Sequence, residues 1–148
     1  GTIFLALIGL FNIIGTYSAG WLGGKFSKPH LLMWLYGLRG IAIIGFLMLP
    51  LSTWTIYAFG VIMGLLWLAT VPLTNGIVAN MFGVKYLSML SGIVFFTHQV
   101  GSFFGGWLGG VNHDMTGNYN MIWAVSIVLS VCGVLVHFFV TEEHVIHD

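Results

Sequence analysis

Polar residues along this chain are gathered into a few short clusters, and long apolar stretches separate the clusters. From Gly40 to Val84 the sequence contains no Asp, Glu, Lys, Arg or His. One crossing of the hydrocarbon core of a bilayer takes about 20 apolar residues, so this stretch is long enough for two crossings and a turn. The pattern therefore predicts an integral membrane protein.

The polar clusters and the prolines predict five spanning helices, at about 2–23, 30–50, 54–81, 87–111 and 119–140. Pro72 lies inside the third helix and should kink it, because proline removes one backbone hydrogen bond. A polar loop at 112–118 separates the last two helices, and residues 141–148 form a polar tail. Strands are not expected, because an open sheet edge cannot face lipid. The predicted fold is an all-α, polytopic membrane helix bundle, with residues 1–148 as a single transmembrane domain.

The composition supports this interpretation and excludes several functions. Only 5% of the residues are charged, whereas soluble domains contain about 25%. The net charge of zero offers no basic surface for nucleic acid. Cys132 is the single cysteine, so no disulfide within the chain is possible. The sequence begins at Gly1 in apolar residues, without an initiator Met, and we expect it to be a fragment of a longer protein.

The lysines predict the orientation of the helices in the membrane. Lys25 and Lys28 lie in the first loop and Lys85 lies in the third, whereas the second and fourth loops contain no Lys or Arg. The first and third loops are on the same side, and the positive-inside rule makes that side cytoplasmic. The C-terminal tail is then also cytoplasmic.

Arg39 is the most informative single residue, because it lies near the middle of the second predicted helix. A cation at that depth costs at least about 2.5–3.5 kcal/mol. No Asp or Glu lies within a predicted span, so the partner is a group elsewhere in a longer protein, a set of backbone carbonyls, or an anionic substrate. Arg39 is therefore either a fixed scaffold contact or a residue that serves an anionic substrate.

Six further polar residues at membrane depth are candidates for a substrate or ion pathway: Asn12, Thr16, Thr74, Asn75, His98 and Gln99. Histidine is the side chain best suited to proton exchange under physiological conditions, so His98 is a candidate proton or substrate contact. Asn12 and Thr16 share a helix face, and Thr74 and Asn75 follow the proline, where a freed carbonyl could line a cavity. The alternative for all six is interhelical hydrogen bonding that stabilises the bundle.

Two series of glycines predict close contacts between helices. Gly101, Gly105 and Gly109 repeat every four residues on the fourth helix, and Gly20 and Gly24 do so at the end of the first. Small residues at this spacing let two helix backbones approach closely. We expect these glycines to act in packing and in sliding between helices.

Enzyme chemistry has little support in the sequence. Glu143, His144, His147 and Asp148 lie close together near the C-terminus, but their spacing is not HExxH, and they are interpreted as a solvated tail. No catalytic triad, phosphate-binding loop or CxxC is visible. No metal, cofactor or catalytic residue is predicted.

The first loop resembles a known family signature. Residues 20–28 read GWLGGKFSK, which resembles the loop signature GxxxD[RK]xG[RK][RK] of the major facilitator superfamily. Gly20, Lys25 and Lys28 match that pattern, whereas Gly24 replaces its acidic residue and Ser27 replaces a glycine.

Later segments carry a closer resemblance to bacterial relatives of monocarboxylate and oxalate–formate carriers. These segments are 82–87, 91–101, 109–110 and 114–119, the last of which reads DMTGNY before the final helix. The resemblance implies that the chain is helices eight to twelve of a twelve-helix carrier. It also implies a multi-pass location in the bacterial inner membrane. The implied partners are the lipid bilayer, a missing N-terminal half, helix seven and a small-molecule solute. In this mapping Arg39 lies on helix nine, outside the usual path, so the six other polar residues are better placed.

The resulting hypothesis is a secondary active transporter that works by alternating access. Its expected substrate is a small organic anion such as a monocarboxylate, with proton coupling, and the fragment alone is not expected to transport. One alternative is a non-transporting scaffold or receptor-like module. Another is a membrane-embedded metalloenzyme, which is disfavoured because His98 lies in mid-membrane while His113 and His144 lie on opposite sides.

The predicted orientation can be tested by labelling in sealed vesicles. A membrane-impermeant amine reagent should label Lys25 and Lys85 from the same face, because two helices separate their loops. Labelling of the two lysines from opposite faces would contradict the five-helix arrangement.

Overall fold

The computed structural model describes residues 1–141, and the regular structure in that part of the chain is helical. The helices are α1 (Thr2–Gly23), α2 (Lys28–Met48), α3 (Thr53–Trp67), α4 (Thr70–Phe82), α5 (Leu87–Thr116) and α6 (Asn120–Phe139), with a short 3₁₀ turn at Val84–Tyr86. Five segments are long and apolar enough to cross a membrane, and α3 with α4 forms one of them. The predicted all-α membrane helix bundle is confirmed. Residues 142–148 of the predicted tail lie outside the described residues.

The third span, Thr53–Phe82, is interrupted four residues before Pro72. Helix α3 ends at Trp67 and α4 begins at Thr70, while Leu68 and Ala69 between them keep right-handed helical dihedral angles. We call this interruption the break. The cause is Pro72, which has no N–H to donate and whose ring collides with the carbonyl of Leu68 four residues earlier. The chain responds with a tighter turn, in which the N–H of Val71 donates to the Leu68 carbonyl over 3.1 Å.

Two predicted helix boundaries are corrected. Helix α5 continues to Thr116, so the first part of the expected loop 112–118 is helical. The Asn112 side chain donates to the Asn118 carbonyl over 2.8 Å, and Gly117 ends the helix with a φ of 71°. Helix α2 begins at Lys28 rather than at residue 30. Pro29 is accommodated in its first turn, because an N–H at that position would have no partner within the helix.

Helices α1 and α3 pack through glycines that the four-residue repeats did not single out. A Cβ atom on Gly15 would collide with the backbone carbonyl of Leu65. A Cβ atom on Gly64 would lie 2.9 Å from the carbonyl oxygen of Ile8. Real Cβ atoms do not approach other atoms so closely, so these positions require glycine for the two backbones to meet. The contact places Asn12 of α1 beside the break in the third span.

Helices α2 and α6 form the second close pair. The ring of Tyr36 lies over Gly133, where a Cβ atom would be 2.7 Å away, and a Cβ atom on Gly40 would be 3.3 Å from Ser130. The Tyr36 ring also stacks on His137, with ring centroids 5.2 Å apart. These contacts hold α6 against the face of α2 that carries Arg39.

Helix α5 is largely exposed along its length. Within residues 1–141, no atom lies within 4 Å of a Cβ built on Gly101, Gly105 or Gly109. The same holds for Gly20, and a Cβ on Gly24 would lie 3.4 Å from the Trp21 carbonyl. The packing role expected of these five glycines therefore stays a prediction.

The glycine contact between α1 and α3 can be tested with two substitutions on the same helix. Gly15→Ala should destabilise the bundle by about 1–3 kcal/mol, because the methyl group forces the backbones apart. Gly9→Ala is the matched control, since its Cβ meets nothing within 4 Å. Unfolding in mixed micelles measures the difference, and equal stability of both variants would contradict the contact.

Candidate functional site

The break in the third span leaves backbone carbonyls without helical partners. The last carbonyls of any helix have no N–H four residues ahead to accept from. Here these groups belong to Leu66 and Trp67, and they lie near the middle of a span rather than at a membrane surface. An unsatisfied carbonyl in hydrocarbon costs several kcal/mol, so the break requires donors from neighbouring helices.

Arg39 of α2 supplies most of these donors, and the Thr70 hydroxyl also donates to the Trp67 carbonyl, over 3.3 Å. Its Nε donates to the Leu66 carbonyl over 3.2 Å, and its Nη2 donates to the carbonyls of Leu66 and Trp67, the latter over 2.6 Å. The C-terminal end of a helix carries a partial negative charge, which favours a cation there. The guanidinium carbon also lies 5.2 Å from the centroid of the Tyr36 ring and 5.5 Å from that of Trp67. Of the three partners considered from the sequence, the structure provides the backbone carbonyls.

Asn12 of α1 holds the break from a second direction. Its Oδ1 accepts the N–H of Leu68 over 3.3 Å. This N–H lies inside the turn that Pro72 imposes. Arg39 thus joins α2 to the carbonyls of the break, and Asn12 joins α1 to its N–H. We name these two residues the break clamp.

A cavity of about 610 Å³ lies beside the break clamp, between α1, α2, α3 and α6. The clamp residues, Tyr36 and two serines of α6 supply its polar lining. The remaining lining residues are apolar or aromatic: Phe4, Ile8, Ile43, Phe59, Met63, Trp67, Trp123 and Leu129. A stacked pair formed by Phe59 and Phe46, with centroids 4.3 Å apart, packs against Trp123 on one wall. Such a space suits a small ligand with an apolar body and a polar group.

Only Asn12 and Arg39 of the lining residues were among the pathway candidates from the sequence, and those missed include Tyr36, Trp67, Ser126 and Ser130. A signal for the serines was present, since they are four residues apart and therefore share a helix face. Trp67 carries no comparable signal in the sequence. Trp67 reaches the site because the helix breaks beside it, at Leu68. Pro72 alone does not give the position of that break.

The other predicted pathway residues are not brought to the cavity. Thr16, Thr74 and Asn75 are partly buried but do not line it, and the Thr74 hydroxyl donates to the Thr70 carbonyl over 2.9 Å. His98 and Gln99 are exposed on α5. The pathway roles of these five residues stay predictions.

Lys25 of the signature loop contacts an aromatic ring. Its Nζ lies 3.7 Å from the centroid of the Trp21 ring, one turn earlier in the chain. A cation over an aromatic face at the end of a span is a common interfacial arrangement.

The comparison with known proteins identifies the family. The sequence profile of the Major Facilitator Superfamily matches residues 2–147. The chain belongs to the Major Facilitator Superfamily. It is therefore a multi-pass membrane protein, and the family points to transport rather than to an enzymatic reaction.

Two relatives in the superfamily are similar to most of this chain. The chain is 33% identical over 130 residues to the "Uncharacterized MFS-type transporter YcxA" of Bacillus subtilis (strain 168), which covers 84% of this chain and 32% of that protein. It is 27% identical over 126 residues to "Monocarboxylate transporter 12-B" of Danio rerio, which covers 82% of this chain and 26% of that protein. The chain thus spans about a third or less of these relatives. No solved structure matches it significantly.

The role of the break clamp can be tested with a double-mutant cycle. Arg39→Met should lower the free energy of unfolding by about 1.5–3 kcal/mol, because hydrogen bonds to a charged donor are lost. In a Pro72→Ala background the loss should be smaller, because a continuous helix provides N–H donors for the same carbonyls. Unfolding of the four proteins in micelles gives the coupling energy. An equal loss in both backgrounds would contradict the proposed cause of the Arg39 position.

Proposed function

We propose that this chain forms helices eight to twelve of a secondary active transporter that moves a small solute by alternating access. The observation that carries the proposal is the broken span beside a cavity, in a chain of the Major Facilitator Superfamily. Transporter sites typically lie near the bilayer midplane, where discontinuous helices expose backbone groups. The break at Leu68 has this character and lies near the middle of its span.

The proposed substrate is a small organic anion such as a monocarboxylate, taken up together with a proton. The charges of the described helices favour an anion, since Asp114 is the single acidic residue of residues 1–141 and lies near the end of α5. Arg39 keeps one positive charge within the spans. The relative from Danio rerio is named as a monocarboxylate transporter, which supports the same class.

His98 and Gln99 of α5 are the proposed contacts along the transport path. Both are exposed on a helix that the other described helices largely leave uncovered. Polar side chains at membrane depth face protein or water rather than lipid. We therefore place the uncovered surface of α5 around these residues against the N-terminal half and helix seven of the whole transporter, where the path would run. Without those parts the chain should not transport.

The remaining parts of the proposal concern location. The transporter would lie in the inner membrane of a bacterium, with the first loop and the C-terminal tail in the cytoplasm. The lysines of the first and third loops support this orientation through the positive-inside rule.

Uptake into proteoliposomes by the full-length protein tests the function. An inward proton gradient should increase the uptake of a labelled monocarboxylate, and it should leave the uptake of a neutral solute of equal size unchanged. His98→Ala should remove most of the gradient-dependent component, because the proposed proton acceptor is lost. His30→Ala is the matched control, since His30 lies in the first turn of α2 and bonds to Ser27.

Two results would contradict the proposal in different ways. Equal uptake of anionic and neutral solutes would reject the substrate class. Gradient-dependent uptake that is the same in wild type and His98→Ala would remove His98 from the mechanism and leave the transport function intact.

A further inference from the structure

At the break clamp, the cavity beside the break offers hydrogen-bond donors. Arg39 has five N–H groups, and those on Nε and Nη2 donate to the carbonyls of the break. Its Nη1 makes no hydrogen bond within residues 1–141. Asn12 uses its Oδ1 on the Leu68 N–H, and its Nδ2 makes none among the same residues. Two donor groups of the clamp are therefore left for a ligand.

The other polar side chains at the cavity are one tyrosine and two serines, and they differ in what they offer a ligand. The Tyr36 ring lines the cavity, and its hydroxyl forms no hydrogen bond in the described part of the chain. Ser126 and Ser130 donate to carbonyls of their own helix over 2.8 and 2.9 Å, so their hydroxyl hydrogens are already used. Among residues 1–141 no carboxylate lines the cavity. The serines can therefore only accept, whereas a ligand group beside Arg39 and Asn12 must bring acceptors.

The charge of Arg39 also lacks a full counter-charge. Asp114, the single acidic residue in residues 1–141, is paired with His113 at 4.0 Å near the end of α5 and does not line the cavity. The carbonyls of the break offer the partial negative charge of a helix end, about half an elementary charge. An anionic ligand beside Nη1 would complete the compensation in a region of low dielectric constant.

The rest of the cavity sets the shape of the ligand. Its walls are the side chains of large apolar and aromatic residues, among them Phe59, Met63 and Trp123. Its volume of about 610 Å³ falls within the range of small-molecule sites. A ligand that matches both parts has one anionic group and an apolar body.

We propose that this cavity is a binding site for an amphipathic organic carboxylate. The carboxylate accepts hydrogen bonds from Nη1 of Arg39 and Nδ2 of Asn12, and the apolar body lies against Phe59 and Trp123. The site lies beside the break that supports the transport proposal and away from His98 and Gln99 on α5, so it rests on the proposed function. The ligand can come from water, as an aromatic carboxylate, or from the bilayer, as a fatty acid.

Quenching of tryptophan fluorescence tests the site directly, because Trp67 and Trp123 line the cavity. Bromine quenches indole emission on contact, so para-bromobenzoate should quench the full-length protein in nanodiscs at saturable concentrations. Para-bromobenzamide, which is neutral and of similar size, should not. Trp67→Phe and Trp123→Phe should each remove part of the quenching. Trp54→Phe is the control, since Trp54 is 81% exposed and lies outside the cavity.

Two further variants test the chemistry of binding. Arg39→Gln should weaken the affinity for para-bromobenzoate by at least about tenfold, because a charged donor is lost. If that variant does not fold, Leu129→Phe tests the site instead. Leu129 lines the cavity, and its side chain is 63% exposed, so a larger side chain should be tolerated by the fold. The larger side chain should fill part of the cavity and weaken binding about fivefold or more. Leu135→Phe on the same helix is the matched control, since Leu135 is 54% exposed and does not line the cavity.

The source of the ligand is assigned by a parallel titration with dibromostearate. If the Leu129 and Arg39 variants reduce quenching by para-bromobenzoate but not by dibromostearate, the ligand is a water-borne carboxylate. If they reduce quenching by dibromostearate but not by para-bromobenzoate, the ligand is a fatty acid. Equal quenching by para-bromobenzamide, or quenching that Leu129→Phe leaves unchanged for both carboxylates, overturns the proposal. Binding is measured without a proton gradient, so its failure is distinguishable from a failure of transport.

Discussion

The structure depends on one constraint, which is that backbone hydrogen-bond groups inside a bilayer must find partners within the protein. Pro72 breaks the third span and removes partners in the middle of the hydrocarbon region. The protein responds with a tight turn at Leu68 and with side chains from two other helices. Arg39, which would be costly alone at that depth, is stabilised by the same carbonyls that need it. The proline and the arginine are thus parts of one arrangement.

That arrangement also explains the packing of the bundle. Asn12 reaches the break only because α1 and α3 approach closely at Gly15 and Gly64. Arg39 reaches it from α2, which Tyr36 and Gly133 hold against α6. The cavity remains where these four helices diverge on one side of the clamp. Small residues therefore determine where backbones meet, and the polar pair determines how the helices are aligned.

The sequence predicted the elements that depend on local chemistry. Apolar length and charge gave the membrane bundle, and Pro72 marked the third span as irregular. Backbone carbonyls were one of three partners considered for Arg39, but the particular carbonyls could not be predicted, because they belong to a different helix and their exposure depends on tertiary structure. The packing glycines were also missed, since Gly15 and Gly64 lie outside the four-residue repeats and are recognised only by what their Cβ atoms would meet. The end of α5 moved to Thr116 because Asn112 and Gly117 stabilise another turn.

The break clamp connects the proposed carboxylate site to the geometry of the third span. Arg39 would contact the ligand with one nitrogen and the broken helix with the others, so any movement of the guanidinium affects both. Suppose that a ligand binds one geometry of the break more tightly than another. Thermodynamic linkage then requires the ligand to shift the equilibrium toward the first geometry, at most by the ratio of the two affinities. A ligand with equal affinity for both geometries would shift nothing, however tightly it binds. The break is therefore the element through which occupation of the cavity would alter the relation between α3 and α4.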